Sequence, residues 1–210
     1  MADTVLHGFS GSTYVRTARI ILHRKGVEYE QNPVNVLEGE PKGEEHLKRH
    51  PFGKVPVLDI DGHRIRETDA IVTYLEASRE GPSAIPEGAW DKTRCQEVIS
   101  LIHGYGYDAL VGTAFYHIMP SFIGDPSEAQ HQQTLDAAMT FMRLVGEIKG
   151  SDPWLAGPYC SLADYYLGPI VFYIMTTPHG DALLEAGGLQ DWWARLSEDE
   201  ALKATEPDMG

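Results

Sequence analysis

Two short segments carry residue types whose spacing suits recognition of a small amino-acid-like ligand. The first is His50-Pro51-Phe52-Gly53-Lys54-Val55-Pro56-Val57-Leu58. A proline at the entry of an apolar, β-branched stretch gives up a ladder donor and needs a reason to be there. A cis bond before Pro56 would supply one, by turning the backbone N–H and C=O of Val55 toward a bound peptide as a strand edge does. Taken alone, the Val-Pro pair also reads as an ordinary edge-strand proline. The second segment, Glu67-Thr68-Asp69-Ala70-Ile71, begins nine residues past Leu58 at a loop-to-helix junction. Thr68 is a good N-cap, and a helix N-terminus holds carboxylates through its free N–H groups and its dipole. Glu67 can pair with an ammonium. One short segment could therefore hold both ends of an α-amino acid. The plainer reading is that Thr68 caps the helix while Glu67 and Asp69 complement its dipole.

Read as a pair, Pro-Phe-Gly-Lys-Val-Pro-Val-Leu and Glu-Thr-Asp-Ala-Ile resemble the glutathione site of the cytosolic glutathione transferase family, and the resemblance runs the length of the chain. In the second half, Gly157-Pro158-Tyr159-Cys160-Ser161-Leu162-Ala163-Asp164 looks like the family's capping box. Ser161 and Asp164 have the spacing that lets them cap reciprocally, so both are expected to serve folding. The resemblance implies that glutathione is the co-substrate. It implies that Val55, flanked by Lys54 and Pro56, pairs with the cysteinyl backbone, and that Glu67 and Thr68 hold the γ-glutamyl group. Thr68 stands where the family usually has serine. For the glycine carboxylate, phi-like relatives use a histidine and a lysine before the third strand. This chain keeps Lys42 and has Pro41 at the histidine position, with Arg49 and His50 expected as solvated loop residues that could substitute.

The chemistry implied by that resemblance needs a bound thiol whose pKa is lowered from about 8.5, because the thiolate is the nucleophile. A hydroxyl can do this by donating a hydrogen bond to sulfur, helped by a helix dipole. The segment His7–Arg16 offers three. Ser12 falls on the catalytic serine of phi- and theta-like members, Thr13 on the serine of zeta-like members, and Ser10 is the third candidate. Ser12 or Thr13 alternatively serves only as the N-cap of the first helix. Tyr14 is a further hydroxyl there, though the classes that use tyrosine place it earlier. No cysteine lies at 9–14, which argues against the family's disulfide-forming branch. Cys95 and Cys160 are expected to be inert.

The function so implied is a hydroxyl-activated glutathione transferase that attacks a small hydrophobic electrophile. The alternatives are an isomerase, dehalogenase or peroxidase using the same thiolate, or a non-catalytic interaction module. The electrophile is expected between two domains, against Tyr105, Tyr107, Phe115, Tyr116 and Met119. Gly104 and Gly106 interrupt that helix at about 1 kcal/mol each, which signals room for a ligand or a close helix contact. A homodimer is expected, with Phe52 inserted into the neighbour.

The elements that must position these residues follow from periodicity. Thr4–Phe9 reads as a strand; Val15, Ala18 and Leu22 as a helix stopped by Gly26; Val27–Val36 as a second strand. Leu37–Arg49 is a charged loop with at most an irregular helix. Val55–Ile60, the turn Asp61-Gly62 and His63–Arg66 form a hairpin, and Ile71, Tyr74, Leu75 and Ser78 mark a helix. The order βαβ, loop, ββα describes an α/β domain with a mixed sheet over residues 1–80, thioredoxin-like by the resemblance. A Gly/Pro linker follows, and then an all-helical domain over 89–210. Its signatures are the stripe Val98, Ile99, Ile102 and Tyr105, the stripe Leu135, Ala138, Met139, Met142 and Val145, the buried helix Leu162–Met175, and a terminal helix at Leu189–Leu196.

Composition narrows the function classes. Residues 1–80 carry 11 Lys and Arg against 13 Asp and Glu, whereas 81–210 carry 6 against 18, for a net charge of -14 over 210 residues. Such acidity argues against nucleic acid, which needs a basic surface. No apolar run reaches the roughly 18 residues of a membrane span, and the first residues lack the features of a secretory signal. Two cysteines without a CxxC pair fit a reduced, cytoplasmic setting. The nine histidines are read as scattered along the chain, and no metal is expected.

Overall fold

The structure is a computed structural model and describes residues 4–207. Val5–His7 form strand β1, and a turn closed by the Ser12 N–H on the Phe9 carbonyl leads into helix α1, Thr13–Arg24. Gly26, at φ 62°, reverses the chain after α1. Strand β2, Glu30–Asn32, then pairs in parallel with β1. The expected strand Val27–Val36 is thus much shorter than its apolar pattern, because Pro33 has no N–H to extend the ladder. Glu40–Lys42 make a 3-10 turn and Glu44–Leu47 the short helix α2. Strand β3, Val57–Ile60, begins directly after Pro56. Asp61 and Gly62, both at positive φ, return the chain as β4, His63–Arg66.

The sheet order is β2-β1-β3-β4, with β3 antiparallel to both neighbours. Helix α3, Thr68–Ser78, packs on α1, and the nearly sealed pair Lys25–Glu76 joins them at 2.9 Å. Leu6, Leu58, Val15, Ile21, Ile71 and Leu75 are fully buried, each contributing roughly 1.5–3 kcal/mol of apolar burial. This is the thioredoxin-like arrangement.

The all-helical unit contains α4, Ala89–Leu101; a π-helical turn, Ile102–Gly106; α5, Tyr107–Ile118; a 3-10 turn, Pro120–Ile123; α6, Glu128–Lys149; α7, Leu162–Ile174; α8, Gly180–Gly187; and α9, Gln190–Leu196. Val98, Ile99 and Ile102 are buried as their spacing implies, but Tyr105 is 72% exposed. The wider winding of the π turn rotates it off the stripe. Gly106 answers the question its cost raised: a Cβ there would lie 2.5 Å from the Phe141 ring, so the glycine permits a close approach to α6. Helix α7 is buried almost all round. At its start Asp164 accepts from the Ser161 N–H at 2.7 Å, the Ser161 hydroxyl at 2.8 Å, the Leu155 N–H at 3.0 Å and the Trp192 indole at 2.8 Å. Burial pushes the Asp164 carboxyl up from its ordinary value while these donors hold it down.

The chain divides into two compact units, and the division corrects one expected boundary. The helical unit spans residues 83–199 and does not run to 210. A last helix, α10, Glu200–Ala204, belongs to the first unit and packs on α1. There Arg16, 2% exposed, donates to the Leu202 carbonyl at 2.9 Å, and Arg19 donates to the Thr205 carbonyl at 3.1 Å. Periodicity stops short of α10 because five residues hold barely one helical turn. Among the described residues no helix is long and apolar enough to cross a membrane.

Candidate functional site

Sheet register gathers the chemistry-bearing segments. His7 stands opposite Asn32 on one side and Val57 on the other, and Val57 stands opposite Arg66. One row of four residues therefore marks the same end of every strand. The chain leaves β1 on this row into Gly8–Ser12, enters β3 across it from Val55-Pro56, and leaves β4 across it into Glu67-Thr68. Segments as far apart in sequence as Gly8 and Thr68 meet at one sheet end because antiparallel pairing folds the chain back.

Polar side chains tie that row together. Asn32 Nδ2 donates to His7 Nδ1 at 2.8 Å, which leaves Nε2–H to donate to Asp59 Oδ2 at 3.1 Å. Asp59 also takes both arms of the Arg64 guanidinium at 2.7 Å, and this pairing holds its carboxyl below the usual range. Burial lowers the His7 pKa from its ordinary 6.5, against the opposing pull of Asp59. Gln31 Nε2 donates to the Gly8 carbonyl and to Ser10 Oγ, both at 3.1 Å, and so anchors the loop ahead of α1.

The three hydroxyl candidates have different surroundings. Ser12 is half-buried and is the N-cap of α1, its Oγ 3.5 Å from the Val15 N–H, a long and weak cap. Thr13 is the first helical residue; it is 6% exposed, and its Oγ1 is sealed without a hydrogen-bond partner. Ser10 is half-buried and engaged by Gln31.

The peptide-binding candidates sit as follows. The Val55-Pro56 bond is cis. Val55 is half-buried and lies outside the β3 ladder, while Pro56 is buried. Lys54 is exposed, and its carbonyl is held by His46 Nε2 at 2.8 Å. Lys42 is exposed and donates to the Phe52 carbonyl at 2.9 Å. Gly53, at φ 61°, lets the Pro41-Lys42 loop close over it, since a Cβ would meet the Pro41 carbonyl at 2.5 Å. That contact accounts for the Phe-Gly-Lys motif.

Helix α3 starts differently from the reading above. Thr68 is not the cap but the first helical residue, 5% exposed, and Glu67 occupies the cap position at φ 68°, ψ 131° without a side-chain cap bond. A non-glycine residue held there costs roughly 1–3 kcal/mol, and such outliers cluster at ligand clamps. The Glu67 side chain is 73% exposed, 3.3 Å from His50 Nε2. His50 itself is only 2% exposed, which corrects its expected place as a solvated loop residue. Neither His46 nor His50 is recognisable from sequence as a support for this site; each gains its partner through loop closure.

The expected electrophile residues have different surroundings. Tyr105 points to solvent, Phe115 lies against Phe122 and Tyr173, and Tyr116 stacks on His131 at 3.8 Å. Tyr107 and Met119, both half-buried, stand at opposite ends of α5. The histidines are not all scattered: His117, His131 and His179 bring their ring nitrogens within 4.8 Å of one another.

Comparison with known proteins gives a consistent picture. Residues 6–83 match the family model described as the glutathione S-transferase N-terminal domain. Probable glutathione S-transferase GSTF1 of Oryza sativa subsp. japonica is 27% identical, covering 97% of this chain and 95% of that protein. Maleylacetoacetate isomerase of Rhizobium meliloti (strain 1021) is 39% identical over 92 residues, 44% of this chain and 43% of that protein. The solved maize glutathione S-transferase I in complex with an atrazine glutathione conjugate superposes with a TM-score of 0.82 at 23% identity, over 97% of this chain and 96% of that one, a likeness of fold.

Proposed function

We propose that the chain is a glutathione transferase that binds glutathione at the sheet end and activates its thiol through Ser12. The observation that carries this reading is the register, which brings the Ser12 loop, Val55-Pro56 and Glu67-Thr68 to one row. Val55, flanked by Lys54 and Pro56, offers backbone groups to the cysteinyl residue. Thr68 and Glu67, at the uncapped start of α3, receive the γ-glutamyl carboxylate and ammonium. Lys42 is the cation for the glycine carboxylate.

Ser12 is favoured over its neighbours on exposure and on engagement. Thr13 Oγ1 is sealed, and Ser10 already accepts from Gln31. The Ser12 hydroxyl donates to sulfur and, with the α1 dipole, stabilises the thiolate; the thiol proton passes to water. The thiolate then forms a C–S bond to an electrophilic carbon, either displacing a leaving group that departs with its bonding pair or shifting the electron pair of a double bond that is then protonated from water; the maize relative was solved in complex with an atrazine glutathione conjugate. We place the enzyme in a reduced, cytoplasmic setting, in keeping with the absence of a disulfide between Cys95 and Cys160. We also assign it a homodimeric state in which Phe52, 76% exposed, packs into the partner. The local similarity to an isomerase favours a second reading, in which the same thiolate adds to a double bond and is expelled again.

Ultraviolet absorbance of bound glutathione against pH tests the assignment. Wild-type protein should keep a thiolate signal well below pH of about 8.5. Ser12→Ala should bind glutathione, lose that signal and turn over about 100-fold more slowly. Binding without a thiolate in wild type would point to a non-catalytic module, and an unaffected Ser12→Ala would remove Ser12 from the mechanism.

A further inference from the structure

Three histidines without any metal-like spacing in sequence converge in the helical unit. His117 belongs to the last turn of α5, His131 to the first turn of α6, and His179 stands at the cap position of α8. One ring nitrogen from each lies within 4.8 Å of the other two. His131 Nε2 and His179 Nε2 are 3.3 Å apart. The ring centroids are separated by 5.1 Å, 5.1 Å and 5.3 Å.

That spacing has a specific chemical meaning. In a tetrahedral site with metal–nitrogen bonds of about 2.05 Å, two ligand nitrogens stand roughly 3.3 Å apart. The His131–His179 pair already spans such an edge. His117 is exposed, so a small side-chain rotation can bring its nitrogen to the third vertex.

Packing holds the central ligand. His131 is 8% exposed and stacks on Tyr116 at 3.8 Å with the rings 4° from parallel. Its Nδ1 has no hydrogen-bond partner. The ring is therefore oriented by stacking.

We propose that His117, His131 and His179 form a binding site for a borderline divalent transition metal, Zn2+ foremost. An all-imidazole donor set suits Zn2+, Cu2+ and Ni2+, whereas Mg2+ and Ca2+ require oxygen ligands. Three protein nitrogens leave a fourth position for water or an external ligand. The exposed edge at His117 supplies an entry path. This site lies wholly within the helical unit and stands independently of the glutathione reading.

The full-length protein, dialysed against chelator, should bind one Zn2+ per chain by calorimetric titration, at micromolar affinity or tighter. Co2+ in its place should give the strong visible bands of a four-coordinate centre. His131 is buried, so His117→Gln and His179→Gln are the informative variants; each should weaken Zn2+ binding at least about 100-fold, with the metal-free far-ultraviolet dichroism unchanged. Absence of Zn2+ binding in the wild type, or equal binding by the wild type and both variants, would overturn the assignment.

Discussion

At the scale of single residues, the site depends on groups whose roles come from their neighbours. His7 is an example. In sequence it is an unremarked histidine in a strand, yet it links Asn32 to the Asp59–Arg64 pair beneath the candidate site. Its pKa is lowered in the folded protein, so the unfolded chain binds the proton more readily. Stability from this group is present above pH 6.5, its ordinary value, and is lost as pH falls through the folded pKa. Replacing it by His7→Gln should flatten the acid side of the stability curve. The slope of unfolding free energy against pH, measured by urea titration between about pH 5 and 7, should drop by up to about 1.4 kcal/mol per pH unit. An identical slope in wild type and variant would show that His7 titrates alike folded and unfolded. Glu67 makes the complementary point. Its positive φ is imposed by the β4–α3 junction, and its carboxylate lies mostly in solvent.

At the scale of elements, helix ends matter more than helix lengths. The candidate site uses the starts of α1 and α3, where the first N–H groups lack intrahelical acceptors. The π turn at Ile102–Gly106 moves Tyr105 out of a core stripe. Helix α10 is short, but it and the following Thr205 supply the carbonyls that receive Arg19 and the buried Arg16. Deleting residues 200–210 should therefore destabilise the first unit by at least about 3 kcal/mol, given roughly 1.5–3 kcal/mol for each hydrogen bond to a charged group. In thermal unfolding this should appear as a loss of about 6 °C or more. An unchanged melting temperature would mean that α10 adds no stability.

At the scale of the whole molecule, charge and association are the relevant properties. The net charge of -14 falls mostly on residues 81–210, leaving residues 1–80 near neutral. An anionic tripeptide meets less repulsion at such a surface. Phe52 is a large apolar side chain left 76% exposed beside His50, and a two-fold contact would bury it twice. Sedimentation equilibrium at micromolar concentration should give twice the chain mass of 23.3 kDa, with Phe52→Ser shifted toward the monomer. A wild-type monomer would remove the partner-contact role assigned to Phe52.

Much of the fold was legible in the sequence because local rules specify it. The Asp61-Gly62 turn, Gly26 after α1, the Ser161–Asp164 cap and the buried α7 each rest on backbone conformation or apolar periodicity within a few residues. The Val-Pro and Glu-Thr segments were easy to place for the same reason, being contiguous strings at an element boundary. What sequence could not supply depends on the third dimension. It overextended β2 past Pro33, ran the helical domain through α10, and made Thr68 a cap where the chain puts Glu67. It also left His46 and His50 as ordinary loop residues. The end of β2 follows from the missing N–H of Pro33; tertiary packing decided the rest, because a buried partner many positions away outweighs local propensity. The histidine cluster shows the limit most plainly. His117, His131 and His179 sit on three different helices, so no spacing rule links them, and only the packing of α5, α6 and α8 brings their nitrogens into one coordination sphere.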